Sequence, residues 1–324
     1  MELIKIVVIG AGQLGSRHLQ GLAKLSGFKI QVVDSSEMSL TTAKQRFEEV
    51  SIAFKGEILF HKNITEIEKN IDVAIVATNS SVRRSVVEQL LSHSTVKNLI
   101  LEKFLFTKLS EYNEVAELIE RKNVKTWVNC PRRMVSFYNT LKQNLTHPFT
   151  FSVSGNAWGL GCNGIHFLDL FSFLSNSKNI LINSTLLDNT IHESKRAGYI
   201  EFTGTIVGSF DKNSFSLTSF NAKPSGVIIE INSQIARYII EEGATSKVRY
   251  ALQENDWQWK EETFEIPFQS QLTNVVVEDI LQTGDCKLTQ YADSSAIHQV
   301  YLSNFISFLQ TSKQDNSINE CLIT

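Results

Sequence analysis

Residues 5–18 run K-I-V-V-I-G-A-G-Q-L-G-S-R-H. The branched apolar run Ile6 to Ile9 fits a strand buried on both faces of a parallel sheet. Gly10, Gly12 and Gly15 follow with the spacing G-x-G-x-x-G. In that pattern the first glycine permits the tight turn, the second lets a pyrophosphate approach the backbone, and the third lets helix and sheet pack closely. A helix from about Gly12 to Leu25 would aim its free N–H groups and positive dipole end at the phosphates. Gln13 and Leu14 belong to the same turn.

A second strand, Lys29 to Val33, ends in Asp34, 19 residues past Gly15. That is close to the spacing of roughly 20 at which a carboxylate holds an adenosine ribose. A carboxylate there accepts bonds from the ribose hydroxyls and repels the extra phosphate of NADP. With Ser35 and Ser36 next and no Arg or Lys until Lys44, NAD is favoured over NADP.

Further along, D-V-A-I-V-A-T (72–78) is another buried strand, with Thr78 and Asn79 at the cofactor edge of the sheet. Asn98 to Leu101 is the next strand and runs into Glu102 and Lys103 at the same edge. Helices are expected over 39–50, 82–93 and 110–122, the last with Ser110 as its cap, and a closing strand over 125–129. A loop over 60–70 should lead into a short helix capped by Thr65. Strands alternating with helices imply a doubly wound parallel sheet with ligands at its carboxyl edge. After Pro131 the pattern changes to short alternating strands (149–154, 199–207, 214–220, 226–232, 236–241, 247–252, 263–266). They are interrupted by one helix at 164–174 and closed by two more near 270–281 and 294–309. The expected division is a dinucleotide-binding domain over 1–130 and a mostly antiparallel α+β domain over 131–324, for substrate binding and oligomerisation. The tail after Thr311 reads as disordered.

Composition limits the function classes. The 324 residues are 42% hydrophobic and 20% charged, with a net charge of −3. Such a chain has no basic footprint for nucleic acid. No apolar run reaches the ~18–20 residues of a membrane span. Four scattered cysteines without C-x-x-C spacing suggest reduced thiols and no zinc site, hence a cytoplasmic protein.

G-A-G-Q-L-G-S-R-H (10–18), V-A-I-V-A-T (73–78), Glu102-Lys103, G-I-H-F-L-D-L (164–170) and L-T-Q-Y-A-D-S-S-A-I-H (288–298) together resemble one family. It is the glucose–fructose oxidoreductase / inositol dehydrogenase / rhizopine catabolism family, and the resemblance spans nearly the whole chain. It implies NAD(P)-dependent oxidation of a secondary alcohol of a sugar, cyclitol or sugar nucleotide, or reduction of the matching ketone. It also implies a homodimer or homotetramer, paired through the open faces of the second-domain sheets, with apolar side chains on that face as the sign.

By position, the family's nicotinamide-side lysine falls on Lys103 and its acid/base histidine on His166. Such a pair suits the chemistry, because a near-neutral imidazole can move the hydroxyl proton while an ammonium stabilises alkoxide. Arg132 (beside Arg133), Trp158, Asn163 and Asp169 are candidate substrate contacts; no metal is called for. Departures from the family pattern stand at Phe104, where a proline is usual, and at Asn79 and Arg83. Another stands at Cys162, four residues before His166, where a carboxylate is usual. Phe104 and Cys162 keep open a rival reading, an NAD-binding sensor or scaffold without turnover. A reductase of another small carbonyl, imine-type or tetrapyrrole, is a further alternative.

Overall fold

The structure, a computed structural model, describes residues 3–52, 54–177, 179–243 and 245–324. In chain order the first elements are β1 (Ile4–Ile9), α1 (Gln13–Leu22), β2 (Ser26–Val33), α2 (Glu37–Glu48), β3 (Lys55–His61), β4 (Asn70–Val76), α3 (Ser80–His93), β5 (Thr95–Leu101), α4 (Leu109–Arg121) and β6 (Lys125–Val128). Then come α5 (Ser136–Asn144), β7 (Phe149–Asn156), α6 (Leu160–Ser175), β8 (Ile180–Glu193), β9 (Ile200–Phe210), β10 (Asn213–Phe220) and β11 (Ile228–Ser233). The chain closes with β12 (Ala236–Glu241), β13 (Ser246–Leu252), β14 (Lys260–Phe264), α7 (Gln269–Thr283), β15 (Thr289–Gln290) and α8 (Tyr291–Lys313).

Two compact units divide these elements. The first comprises Met1–Phe106, Ser110–Asn129 and Pro267–Ala292. Its sheet has the order β15-β6-β5-β4-β1-β2-β3. All its strands pair in parallel except the short β15. Ile6, Val7 and Val8 are fully buried in β1, which has a neighbour on each side and helices over both faces, as a near-continuous apolar strand requires. The order reverses between β1 and β4, so their carboxyl ends open the crevice where such sheets hold ligands.

Four points in this unit depart from the sequence reading. A strand, β3, stands before the expected loop; as the outer strand of the sheet it leaves Lys55 and Glu57 exposed, which dilutes its apolar signal. Thr65 caps nothing, because it lies inside a single tight turn, Ile64–Glu66, preceded by Asn63. Ser110 sits within the first turn of α4, which begins at Leu109. The helix α7, expected in the second domain, belongs to the first unit because it packs on α1. A Cβ on Gly21 would come within 2.8 Å of the Thr273 Cβ.

The second unit comprises Thr107–Leu109, Cys130–Ile266 and Asp293–Thr324. Its sheet has the order β14-β13-β12-β11-β7-β10-β9-β8, antiparallel except for the β7–β10 pair. One face buries Phe151, Val153, Phe210, Phe215, Leu217, Ile229 and Ile231. Phe171 of α6 packs its ring on those of Phe149, Phe151, Phe210 and Phe215 at 5.0–5.4 Å between centroids.

By register the other face carries Thr150, Ser152, Ser154, Thr205, Ser209, Ser214, Ser216 and Thr218. This face is hydroxyl-rich rather than apolar, with Leu181, Leu186, Phe220 and Ile228 as its exposed apolar side chains. β8 escapes the sequence pattern because register shifts at Asn183/Leu186 and Leu187/Ile191 break its alternation. α5 escapes it because Tyr138 and Leu141 are its only buried residues. The tail is ordered: Cys321 and Ile323 are fully buried, and the Cys321 amide donates to the Thr107 carbonyl at 2.9 Å. No described helix is long and apolar enough to cross a membrane.

Candidate functional site

In the first unit the carboxyl ends of β1, β2 and β4 bring most of the expected cofactor residues together. The Gly10 amide donates to the Val33 carbonyl at 2.8 Å, and the Ala11 amide to Asp34 Oδ2 at 2.7 Å. The other Asp34 oxygen accepts from the Ser36 amide at 2.8 Å, which fixes the carboxylate while each oxygen keeps further acceptor capacity. Gly10 has a φ of +94°, and a Cβ there would lie 2.9 Å from the Ala77 backbone. A Cβ on Gly15 would lie 1.7 Å from the Gly10 carbonyl oxygen. Those two glycines are demanded by the fold itself.

Gly12 differs, because a Cβ there would meet nothing within 4 Å. It precedes α1, whose first N–H groups have no acceptor within the helix and receive no side-chain cap. Gln13 is exposed and Leu14 half-buried in that first turn. The open space over Gly12 and the uncapped helix end fit a pyrophosphate. At the carboxyl end of β4, Thr78 Oγ1 is buried without a hydrogen-bond partner. Asn79 precedes α3, and its carbonyl accepts from the Arg83 amide at 3.1 Å.

Glu102 does not join this edge as a contact for cofactor. It is 2% exposed, with Oε1 taking bonds from His18 Nε2 at 2.7 Å and Asn129 Nδ2 at 2.5 Å. Burial alone raises its pKa. The His18 bond and charge, the Asn129 bond and nearby Arg83 outweigh that and hold the carboxyl below its ordinary value. Arg83, also buried, donates to the carbonyls of Thr78, Phe104 and Leu105, tying the turn after β4 to the turn after β5. Phe104, in the position where a proline is usual, is fully buried. Lys103 is half-buried between these two anchored neighbours.

In the second unit a cavity of about 340 Å³ is lined by Arg132, Trp158, Asn163, His166, Phe167 and Val227. Four expected residues thus share one wall. Gly159, with a φ of 83°, precedes α6, whose first two turns carry Asn163 and His166. Trp158 anchors its indole N–H on the Thr218 carbonyl at 2.7 Å and presents its ring edge-on to Phe167. The Asn163 amide donates to the Trp158 carbonyl at 2.8 Å.

Arg132 lines the cavity with its charge already matched. Its guanidinium forks onto Glu242 at 3.0 and 2.5 Å and lies 4.3 Å above the Phe167 ring, while Tyr138 donates to the same carboxylate at 2.6 Å. Asp169 is not among the lining residues. It is 1% exposed and bonds Arg133 Nε at 2.7 Å. A larger groove of about 640 Å³ lies between α5 and β12–β13, but Phe137, Tyr238 and Tyr250 dominate it and none of the expected proton-transfer groups reaches it.

Glu242 and Glu201 had no signal in the sequence. Glu201, from β9, accepts from the Gly161 and Cys162 amides at 2.8 and 3.0 Å, so a carboxylate arrives from another strand to cap α6 beside Cys162. Glu242 has its carboxyl held low, since Arg132 and Tyr138 outweigh a burial that would raise it. A carboxyl whose folded pKa is depressed stabilises above its unfolded value and loses that contribution as pH falls through the folded one. Glu242→Gln should cost about 1.5–3 kcal/mol at pH 7. That difference should shrink as pH falls below the ordinary carboxylate range of about 4.3, read by denaturant titration of both proteins at each pH.

Residues 4–130 match the profile of the oxidoreductase family with an NAD-binding Rossmann fold, the Gfo/Idh/MocA family. The match covers this domain and not the second one. No curated protein matches it in sequence. Solved structures share its fold at low identity. An oxidoreductase from Agrobacterium radiobacter, in complex with NAD⁺, L-tartaric acid and magnesium, is 15% identical at a TM-score of 0.70, covering 96% of this chain and 97% of its own. UDP-N-acetylglucosamine 3-dehydrogenase from Acidithiobacillus ferrooxidans is 14% identical at 0.70, covering 96% and 100%. The transcriptional regulator Gal80p from Kluyveromyces lactis is 16% identical at 0.68, covering 95% and 90%.

Proposed function

We propose that this chain is a member of that family and an NAD(H)-dependent oxidoreductase that interconverts a secondary alcohol and a ketone on a carbohydrate-like small molecule. One observation carries the reading: a titratable imidazole, His166, shares a cavity wall with an indole and a side-chain amide. An aromatic face with amides around it suits a sugar ring and its hydroxyls. With Arg132 neutralised by Glu242, the wall suits an uncharged polyol better than a phosphate or carboxylate.

The residues present fit the cofactor. Gly12, Gln13 and Leu14 would take its pyrophosphate, Asp34 its adenosine ribose, and Thr78, Asn79 and Lys103 its nicotinamide half. Bound nicotinamide supplies hydride exchange with carbon. In the second unit His166 would take the proton from the alcohol or return it to the ketone, and in the first the Lys103 ammonium would supply positive charge at the nicotinamide end of the cofactor. Glu102 supports Lys103 from the interior. The same proposal places the protein in the cytoplasm and has it assemble as a homodimer or homotetramer, through a sheet face that is hydroxyl-rich rather than apolar.

A second reading, an NAD-binding regulator without turnover, is favoured by Cys162 in place of the usual carboxylate and by the fold shared with Gal80p. Ligand-induced stabilisation separates the readings. NADH at 100 times its Kd should add about 2.7 kcal/mol, roughly 2–4 °C in Tm per kcal/mol, with a smaller shift for NADPH. Sugars, cyclitols and sugar nucleotides that add to the NAD shift are then assayed by absorbance of the reduced cofactor. Turnover with one of them supports the enzyme; NADH binding with no turnover across the panel supports the regulator. Failure of all four nicotinamide nucleotides to bind would sink both.

A further inference from the structure

The groove of about 640 Å³ between α5 and the strands β12 and β13 belongs wholly to the second unit, and no step proposed above uses it. Its volume lies within the roughly 300–1,000 Å³ of small-molecule sites. The floor is aromatic. Tyr238 and Tyr250 are register partners on β12 and β13, their ring centroids 6.1 Å apart and their planes within 26° of parallel. Phe137 of α5 lines the wall and is held there by stacking on Phe264 at 4.3 Å.

One polar group in this floor is unsatisfied by the fold. Tyr238 is 8% exposed, and among the described residues its hydroxyl has no hydrogen-bond partner. Burial raises its pKa, with no bond or charge acting against it. Tyr250 beside it shows the contrast, donating to Glu262 Oε1 at 2.6 Å. A buried hydroxyl without a partner is costly, and the groove it lines is the space from which a partner can come.

The electrostatics of the lining have one sign. Glu254 and Glu262 are exposed carboxylates at the rim, and no lysine or arginine is among the groove residues. Asn144 brings the carboxyl end of α5, whose free carbonyls carry partial negative charge. The faces of the aromatic rings attract cations as well. Lys260, the register partner of Tyr250 on β14, is exposed and outside the lining. Phosphates and carboxylates are repelled from such a surface, and a neutral ring would gain nothing from its charges.

We propose that this groove is a second binding site, built for a small organic ammonium: a protonated amine carried on an apolar ring. The ring lies on the Tyr238 and Tyr250 faces, and the ammonium donates to the Tyr238 oxygen while facing the Glu254 and Glu262 carboxylates.

The test uses the full chain and three indoles of nearly one shape: tryptamine as the cation, tryptophol as the neutral form and indole-3-acetate as the anion. Calorimetric titration near neutral pH and at low salt should find tryptamine binding about tenfold or more tighter than tryptophol, and indole-3-acetate not binding. Tyr238→Phe and Glu262→Gln should each weaken tryptamine by about three- to tenfold and leave the NADH titration unchanged. Asn163→Ala, in the smaller cavity, should leave tryptamine binding as in wild type. Equal affinity for the three indoles overturns the proposal, as does tryptamine binding that follows Asn163→Ala and ignores Tyr238→Phe. Absence of tryptamine binding at millimolar concentration also overturns it, the result expected where a second copy of this chain covers the groove. The comparison of indoles on the wild-type protein decides the matter even where a variant fails to fold.

Discussion

Gly12→Val should fold as the wild-type protein does and lose NADH. A Cβ at Gly12 meets nothing within 4 Å, and its backbone angles, φ −64° and ψ −164°, are extended values open to a branched residue. The melting temperature should therefore stay within about 2 °C, the width expected for a surface change of under 1 kcal/mol. The valine methyls instead fill the space over the first turn of α1, where phosphate oxygens would take backbone N–H bonds. Such charge-assisted bonds contribute about 1.5–3 kcal/mol each, so losing two weakens NADH binding by roughly 10²–10⁴-fold. Gly15→Val is the control with the opposite outcome: its Cβ would overlap the Gly10 carbonyl at 1.7 Å, so that variant should fail to fold. Isothermal titration with NADH beside thermal melts reads both. Unchanged NADH affinity in a folded Gly12→Val protein would remove the glycine turn from the cofactor site.

Lys103→Met should separate binding from turnover. The side chain sits in a turn pinned by Glu102 on one side and by the Arg83 bonds to the Phe104 and Leu105 carbonyls on the other. Methionine keeps most of the length and removes only the ammonium, so the turn should survive. With the substrate found in the ligand panel, kcat should fall by about 10²–10⁴-fold, the span of one lost proton-transfer or charge-stabilising group. The NADH Kd should change by less than about threefold, well under 1 kcal/mol. A variant that turns over normally would take Lys103 out of the chemistry. Parallel loss of NADH binding would make it a cofactor clamp instead.

Much of the first unit was legible because its signals are local. The run Ile6–Ile9 is apolar because β1 has a neighbour on both sides, and Gly10 and Gly15 are glycines because a Cβ at either would strike backbone. β3 was not legible, since an outer strand half in water carries no continuous apolar run. In the second unit the strands that pair on both sides were readable from alternation, while the bulged edge strand β8 was not.

The amino-acid sequence by itself determined the parallel dinucleotide-binding sheet, the glycine turn with Asp34, and the change to an antiparallel sheet after residue 130. Each follows from a period or a spacing within a few residues of chain. What only the tertiary structure decided is the partner of every buried charge. Glu102 meets His18 across 84 residues, Arg132 meets Glu242 across 110, and Glu201 reaches the start of α6 from about 40 residues downstream. Those pairs turn a cofactor contact into an interior anchor, close an anion clamp, and bring a carboxylate beside Cys162. A charge removed from water must find its counter-charge in three dimensions, and no local pattern along the chain says which one it finds.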